Sequence, residues 1–192
     1  MIGAPPRAPT RTRTDLDLAI PILAGVGMLL LRLRIMQAVE PTRVALLTAV
    51  FAAILVTSLL VPVARDLARL RPATVTMVGL AGVGLAALAA GRPVSAPLGT
   101  SALPLALFAA VAEEALFRRA AYGWLARSGP TIAVAGSALL FAAAHLPLYG
   151  VAAFPVDLGA GLLLSWQRWA SGTWTVPAAT HAAANLLAVM LR

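Results

Sequence analysis

Long apolar blocks separated by short polar joints make up most of this 192-residue chain. A helix that crosses a membrane needs about 20 mostly apolar residues, and seven segments approach that length. These segments are residues 16–36, 44–64, 73–91, 101–126, 130–146, 154–170 and 173–191. The pattern predicts an all-α fold, a polytopic transmembrane helix bundle of about seven spans, with six or eight as the neighbouring possibilities.

Proline and polar residues set the expected boundaries of these spans. Pro147 is expected to end the fifth span, whereas Pro177 falls in the first turn of the seventh, where proline is tolerated. Residues 1–14 are rich in Pro, Thr and Arg and lack an apolar pattern, so we expect a disordered basic arm. No later joint is long enough to be an interdomain linker. Residues 15–192 are therefore expected to form a single transmembrane domain.

The composition supports a membrane protein and limits its chemistry. Hydrophobic residues make up 60% of the chain and charged residues 11%, whereas soluble domains have about 25% charged residues. The chain has no cysteine, which excludes a disulfide framework, a thiolate nucleophile and a Cys-ligated metal. Any catalytic chemistry must come from Glu, His, Asn, Ser and Arg.

The net charge of +8 comes from a basic complement that is entirely arginine. Most arginines lie between the apolar blocks, as expected for joints at the ends of membrane helices. The sequence contains no basic stripe of the kind that would indicate nucleic-acid binding. Counting joint arginines, Arg168 among them, gives eight on one side and five, including Arg32, on the other. This count places the N-terminus in the cytoplasm. The exclusive use of arginine indicates a GC-rich genome, so we expect a bacterial inner membrane.

Ionisable residues inside the later apolar blocks point to a functional site. Glu113 and Glu114 lie in the middle of the fourth block, and His145 and His181, the only two histidines, lie in the fifth and seventh. A charge near the bilayer centre costs at least about 2.5–3.5 kcal/mol, so ionisable residues at this depth usually have a charged or hydrogen-bonding partner or a function.

Helical spacing groups these residues into pairs, because residues four apart share a helix face. The pairs are Glu114 with Arg118, Phe141 with His145, and His181 with Asn185. The first pair leaves Glu113 about 100° away around the helix as an unpaired carboxylate. Three helices can then bring a carboxylate, two imidazoles and an amide to one pocket, a set typical of hydrolytic sites. A structural ion pair, a histidine bonded to a carbonyl, and an asparagine joining two helices are the alternative interpretations.

Three short motifs carry a resemblance to a known family. EEALFR (113–118), FAAAH (141–145) and HAAAN (181–185) match the patterns EExxxR, FxxxH and HxxxN in order. With the glycines of the sixth block, residues 101–192 resemble the CPBP family, also called the ABI or type II CAAX prenyl endopeptidase family. The first half of the chain resembles it in hydropathy alone.

This resemblance implies an intramembrane endopeptidase that cleaves a membrane-embedded or membrane-associated peptide or protein. Glu113 and His145 would activate the attacking water, and His181 and Asn185 would stabilise the oxyanion. The expected supporting residues are Glu114, Arg118 and Phe141. Besides the substrate, the lipid bilayer is the expected partner.

A metal cofactor is the main alternative to metal-free chemistry. Glu113, His145 and His181 would form a two-histidine, one-glutamate set that resembles a catalytic zinc site. The chain lacks the HExxH helix that commonly organises such a site. We therefore favour a site without a metal, and a divalent ion such as zinc is the second possibility.

Two other functions are consistent with the same residues. One is a non-catalytic relative, a membrane scaffold or a bacteriocin self-immunity protein, that binds a peptide in the same pocket. The other is a proton-coupled transporter, because intramembrane Glu and His also relay protons. Transporters often contain inverted repeats, and the two halves of this chain show none. The sequence predicts neither the substrate nor the oligomeric state.

Overall fold

A computed structural model of the chain describes residues 15–63, 66–90 and 102–190. The expected basic arm at residues 1–14 lies outside this part, as does the joint at residues 92–100. Within the described ranges the structure is helical and contains no strand. The prediction of an all-α bundle is confirmed.

Seven long helices follow the seven predicted segments. They are α1 (Asp15–Ile35), α2 (Thr42–Leu60), α3 (Pro72–Ala90), α4, α5 (Pro130–Tyr149), α6 (Phe154–Ser171) and α7 (Thr175–Met190). Helix α4 is α-helical over Ala102–Glu114, π-helical over Ala115–Ala121, and α-helical again over Tyr122–Leu125.

The expected end of the fifth span at Pro147 is wrong, because α5 continues to Tyr149. A proline removes one backbone donor but leaves its neighbours' hydrogen bonds possible. The amide of Gly150 still donates to the carbonyl of Leu146 at 2.9 Å. The helix therefore keeps its final turn beyond the proline.

The outer surface of the bundle is apolar over much of its area. By length and apolar composition, three helices of the described part are candidates to cross a membrane: α1 from Leu18, α2 and α5. Large apolar side chains such as Leu23, Leu60 and Leu88 are 68%, 73% and 81% exposed. Such a surface suits lipid contact rather than water, and the chain is an integral membrane protein.

The core forms where α1, α2, α4 and α5 meet. Its buried side chains include Leu29, Phe51, Ile54, Leu116, Phe117 and Phe141. Helix α4 packs against α2 and α7, and α5 packs along α6. Helix α4 is thus the central element, and its neighbours cover it on several sides.

The π-helical turn of α4 presents backbone carbonyls that polar side chains satisfy. The hydroxyl of Ser137 donates to the carbonyl of Phe117 at 2.8 Å, and Nε of Arg168 donates to the carbonyl of Arg118 at 3.0 Å. Segments of π-helix are uncommon and often lie at functional sites. This turn directly follows the two glutamates.

Arg168 does not behave as the joint arginine that the sequence suggested. Its side chain is buried, and besides the bond to α4 it pairs with Asp66 at 2.8 Å. The Arg168 guanidinium thus links Asp66, in the connection after α2, to the end of α6. A position near the end of an apolar block does not reveal whether an arginine faces inward.

Glycine at position 161 allows α6 to approach α5 closely. A Cβ at this position would lie 2.9 Å from the carbonyl oxygen of Ala138 and 3.1 Å from its Cα. These are backbone atoms, which cannot move aside as a flexible side chain can. A Cβ on Gly159, two residues earlier on the same helix, would meet no atom within 4 Å.

The substitution Gly161→Ala should therefore destabilise the bundle by about 1–3 kcal/mol, the usual range for overpacking. Gly159→Ala is the matched control and should be neutral or slightly stabilising, because alanine is the better helix former. Thermal unfolding of the detergent-solubilised protein measures both effects. Equal unfolding midpoints for the two variants would contradict the close approach of α5 and α6.

Candidate functional site

The two neighbouring glutamates lie at the end of the first α-helical part of α4. Glu113 is 3% exposed and Glu114 is fully buried. A carboxylate in such surroundings requires charged or hydrogen-bonding partners. The structure supplies different partners to each of them.

Glu114 and Arg118 form the predicted ion pair. One guanidinium nitrogen of Arg118 lies 3.0 Å from Oε1 of Glu114, and neither side chain has any exposed surface. The other terminal nitrogen donates to the carbonyl of Gly161 at 3.2 Å. The same Oε1 atom also lies 2.9 Å from Nδ1 of His181. Glu114 therefore joins its own helix to α7 and, through Arg118, to α6.

Glu113 is not the unpaired carboxylate that the spacing suggested. Arg32, in the last turn of α1, donates to its Oε1 at 3.0 Å. The Arg32 side chain is 13% exposed. The sequence placed Arg32 among the joint arginines because it lies near the end of an apolar block. Its partner is 81 residues away, and no local pattern links the two positions.

Both histidines turn their Nε2 atoms toward Glu113. Nε2 of His145 lies 3.6 Å from Oε2 of Glu113, and Nε2 of His181 lies 4.0 Å from the same oxygen. The other ring nitrogen of His145 lies 2.8 Å from the carbonyl oxygen of Phe141. The two imidazoles of α5 and α7 thus converge on one carboxylate oxygen of α4.

Phe141 packs between the charged and the imidazole groups. Its ring centroid lies 4.2 Å from that of His145 and 5.9 Å from that of His181. The guanidinium of Arg118 lies 4.4 Å from the same ring, within the range of a cation–π interaction. The aromatic ring thereby fixes three polar side chains relative to one another.

Asn185 lies one turn beyond His181 on α7, and its amide Nδ2 donates to the carbonyl of Ala106 at 2.9 Å. This bond reaches the first part of α4 and fixes the orientation of the amide. An Asn side chain has two N–H donors, so one of them is free of this bond. Asn185 also lines the same cavity as Glu113 and both histidines.

This cavity measures about 610 Å³ and opens between α4, α5, α6 and α7. Small side chains of α4 and α7 make up much of its wall: Ala102, Ala106, Ala109, Ala184 and Ala188. A volume of this size is typical of a ligand site. The predicted residues Glu113, Phe141, His145, His181 and Asn185 all face it.

The sequence missed four polar residues of this cavity: Arg32, Tyr149, Asp157 and Thr180. Tyr149 stacks on His145 with ring centroids 5.8 Å apart, and the spacing of four residues on one helix could have indicated this contact. Asp157 has a buried Oδ2 with no hydrogen-bond partner in the described part of the chain. No spacing rule predicts Asp157, because it lies on a different helix from every motif.

The two adjacent glutamates should respond differently to neutralisation. Glu114→Gln leaves the fully buried Arg118 without a counter-charge and should cost about 3–5 kcal/mol of stability. Glu113→Gln should cost about 1–2 kcal/mol, because its partner Arg32 retains some exposure and a smaller desolvation penalty. Denaturant unfolding in detergent compares the isosteric variants. A larger loss for Glu113→Gln would contradict the assignment of the partners.

Comparison with known protein families identifies a match over residues 95–187, described as "Type II CAAX prenyl endopeptidase Rce1-like". The matched segment contains both glutamates, both histidines and Asn185. No curated protein matches the chain. No solved structure matches it either. This match covers 93 of the 192 residues and supports the resemblance of the chain to the CPBP, or CAAX protease, family.

Proposed function

We propose that the protein is an intramembrane endopeptidase that hydrolyses a peptide bond of a membrane-associated peptide or protein. The observation that carries this proposal is the convergence of Nε2 of His145 and His181 on Oε2 of Glu113, at 3.6 and 4.0 Å, inside a cavity between the helices. The match of residues 95–187 to a protease family model supports the same reaction class.

In the proposed reaction, Glu113 and His145 activate the attacking water. Oε2 of Glu113 and Nε2 of His145 lie 3.6 Å apart, which exceeds a normal hydrogen bond, and the proposed water lies in the cavity beside these two atoms. Nδ1 of His145 faces a carbonyl oxygen, so the neutral ring carries its proton there and Nε2 accepts. Both neighbours of the water are then acceptors, as general-base catalysis requires.

The oxyanion of the tetrahedral intermediate is assigned to His181 and Asn185. The second N–H of the Asn185 amide is oriented by the bond of the first to Ala106. Nδ1 of His181 bonds the Glu114 carboxylate, so the ring donates from Nε2 only when it carries a proton on both nitrogens. Donors fixed before the reaction stabilise developing negative charge without reorganisation.

The proposed hydrolysis has two steps, addition of water and collapse of the tetrahedral intermediate. Water adds to the scissile carbonyl carbon, and its proton passes to the Glu113–His145 pair. Collapse of the intermediate breaks the C–N bond, and the same proton is delivered to the leaving amine. The products are a carboxylic acid, which keeps the other proton of the water, and an amine; transfer of that proton to the amine gives a carboxylate and an ammonium ion. The base is thereby regenerated for the next cycle.

The proposed chemistry needs no metal, although Glu113, His145 and His181 are the natural ligand set for one. In the part of the chain that the structure describes, no group of three or more His, Cys, Asp or Glu side chains is arranged to hold a metal ion. Arg32 also contacts Glu113 at 3.0 Å, and its positive charge opposes a divalent cation at the same carboxylate. The electrostatic surroundings therefore favour a glutamate base over a glutamate ligand.

Glu113→Gln and His145→Gln should each reduce turnover by about 10²–10⁴-fold, the usual contribution of general-base catalysis. The assay is cleavage of a panel of single-span peptides by the protein in liposomes, followed by mass spectrometry. Glu40→Gln is the matched control, since Glu40 lies at a joint with a half-exposed side chain, and it should retain turnover. Full activity in both site variants would contradict the proposal and favour a non-catalytic peptide-binding protein.

Asn185→Leu removes the proposed amide donor at similar size and should reduce kcat by about 10²–10³-fold with little change in KM. An oxyanion donor acts in the transition state, so substrate binding should be largely preserved. Steady-state kinetics on the best peptide of the panel separates the two constants. An effect confined to KM would assign Asn185 to substrate binding instead.

Chelation tests the metal-free assignment independently of any substitution. Extended dialysis against 1,10-phenanthroline should leave turnover unchanged, because no step passes through a metal. In parallel, elemental analysis of protein that was not exposed to the chelator measures whether zinc is bound. Loss of activity that added zinc restores would instead assign Glu113, His145 and His181 as metal ligands.

A further inference from the structure

We infer that Arg32 is a positioning residue for Glu113, supplied by the half of the chain that lies outside the family-matched segment. The inference rests on the proposed role of Glu113 as the base. Arg32 belongs to α1, whereas the match to the family begins at residue 95. The motifs therefore do not contain every side chain that shapes the site.

The ion pair fixes the direction of the reactive carboxylate oxygen. Arg32 donates to Oε1 of Glu113 at 3.0 Å, whereas Oε2 faces both histidines. Because a carboxylate is planar, a bond that holds one oxygen also limits where the other can point. Arg32 thus directs Oε2 toward the place proposed for the water. Side-chain placement of this kind is a large part of catalytic power.

Among the described residues, the other arginines near the two glutamates bond to other partners. Arg118 is the other arginine close to the two glutamates, but it is paired with Glu114 and with the carbonyl of Gly161. Arg119 points away from the site and donates to the carbonyls of Ser58 and Val61 at the end of α2. Among the described residues, Arg32 is therefore the arginine that pairs with Glu113.

Arg32 also lies where two cavities meet. A second cavity of about 700 Å³ lies against α1, α2 and α4, and Arg32, Ala106, Ala109 and Tyr149 line both spaces. The guanidinium thus stands between Glu113 and the second cavity. A shorter or neutral side chain would both release Oε1 and open this side of the base. A role limited to packing would not predict an effect on the chemical step.

The first test is kinetic and uses Arg32→Gln, Arg32→Lys and the control Arg34→Gln. Arg34 lies on the same helix with an exposed side chain. Arg32→Gln should lower kcat by roughly 10- to 100-fold, part of the general-base contribution, with KM changed by less than about twofold. Arg32→Lys keeps the positive charge, so its kcat should fall less than that of Arg32→Gln. Wild-type kcat in Arg32→Gln would overturn the inference.

The second test needs no activity and keeps the inference falsifiable on its own. A double-mutant cycle of Arg32→Gln and Glu113→Gln, followed by denaturant unfolding, measures the coupling between the two side chains. The double variant should lose less stability than the sum of the single variants. Additive losses would overturn the ion pair and with it the positioning role. A wild-type protein that cleaves no peptide contradicts the proposed function, and the cycle still decides whether Arg32 holds Glu113.

Discussion

Two neighbouring carboxylates buried in an apolar bundle are the constraint on which the rest of the structure depends. Each buried charge must gain a partner, because its desolvation is otherwise too costly. Glu114 obtains Arg118 from its own helix and His181 from α7. Glu113 obtains Arg32 from α1. The arrangement of α1, α4 and α7 is thereby tied to charge compensation as well as to apolar packing, and the N-terminal half of the chain becomes part of the site.

Consecutive arginines on α4 bond to different neighbouring helices. Arg118 points toward α6 and Glu114, and Arg119 points toward the end of α2, where it donates to the carbonyls of Ser58 and Val61. The carbonyl of Arg118 is in turn bonded by Arg168. A polar framework behind the glutamates therefore connects three helices. Such a framework can hold Glu114 rigid while the cavity side of Glu113 remains accessible.

The sequence predicted what depends on local spacing and composition. Apolar block lengths gave the seven helices, and the four-residue spacing gave the Glu114–Arg118 pair and the shared cavity face of His181 and Asn185. It failed where a partner is distant in the chain. Arg32 and Arg168 were assigned to joints, yet both face inward, toward Glu113 and Asp66 respectively. The period of a helix fixes which residues share a face, but the packing of helices decides which face meets which.

The distribution of burial across the site separates its supporting side from its reactive side. Glu114 and Arg118 have no exposed surface, whereas Arg32 and His181 retain 13% and 12%. In the proposed reaction a water must reach the base, and a fully sealed carboxylate cannot supply that access. Glu113 lies between the two environments and lines the cavity. The same fold can therefore hold one glutamate in a sealed ion pair and leave its neighbour at the wall of the cavity, although the two residues are adjacent in the sequence.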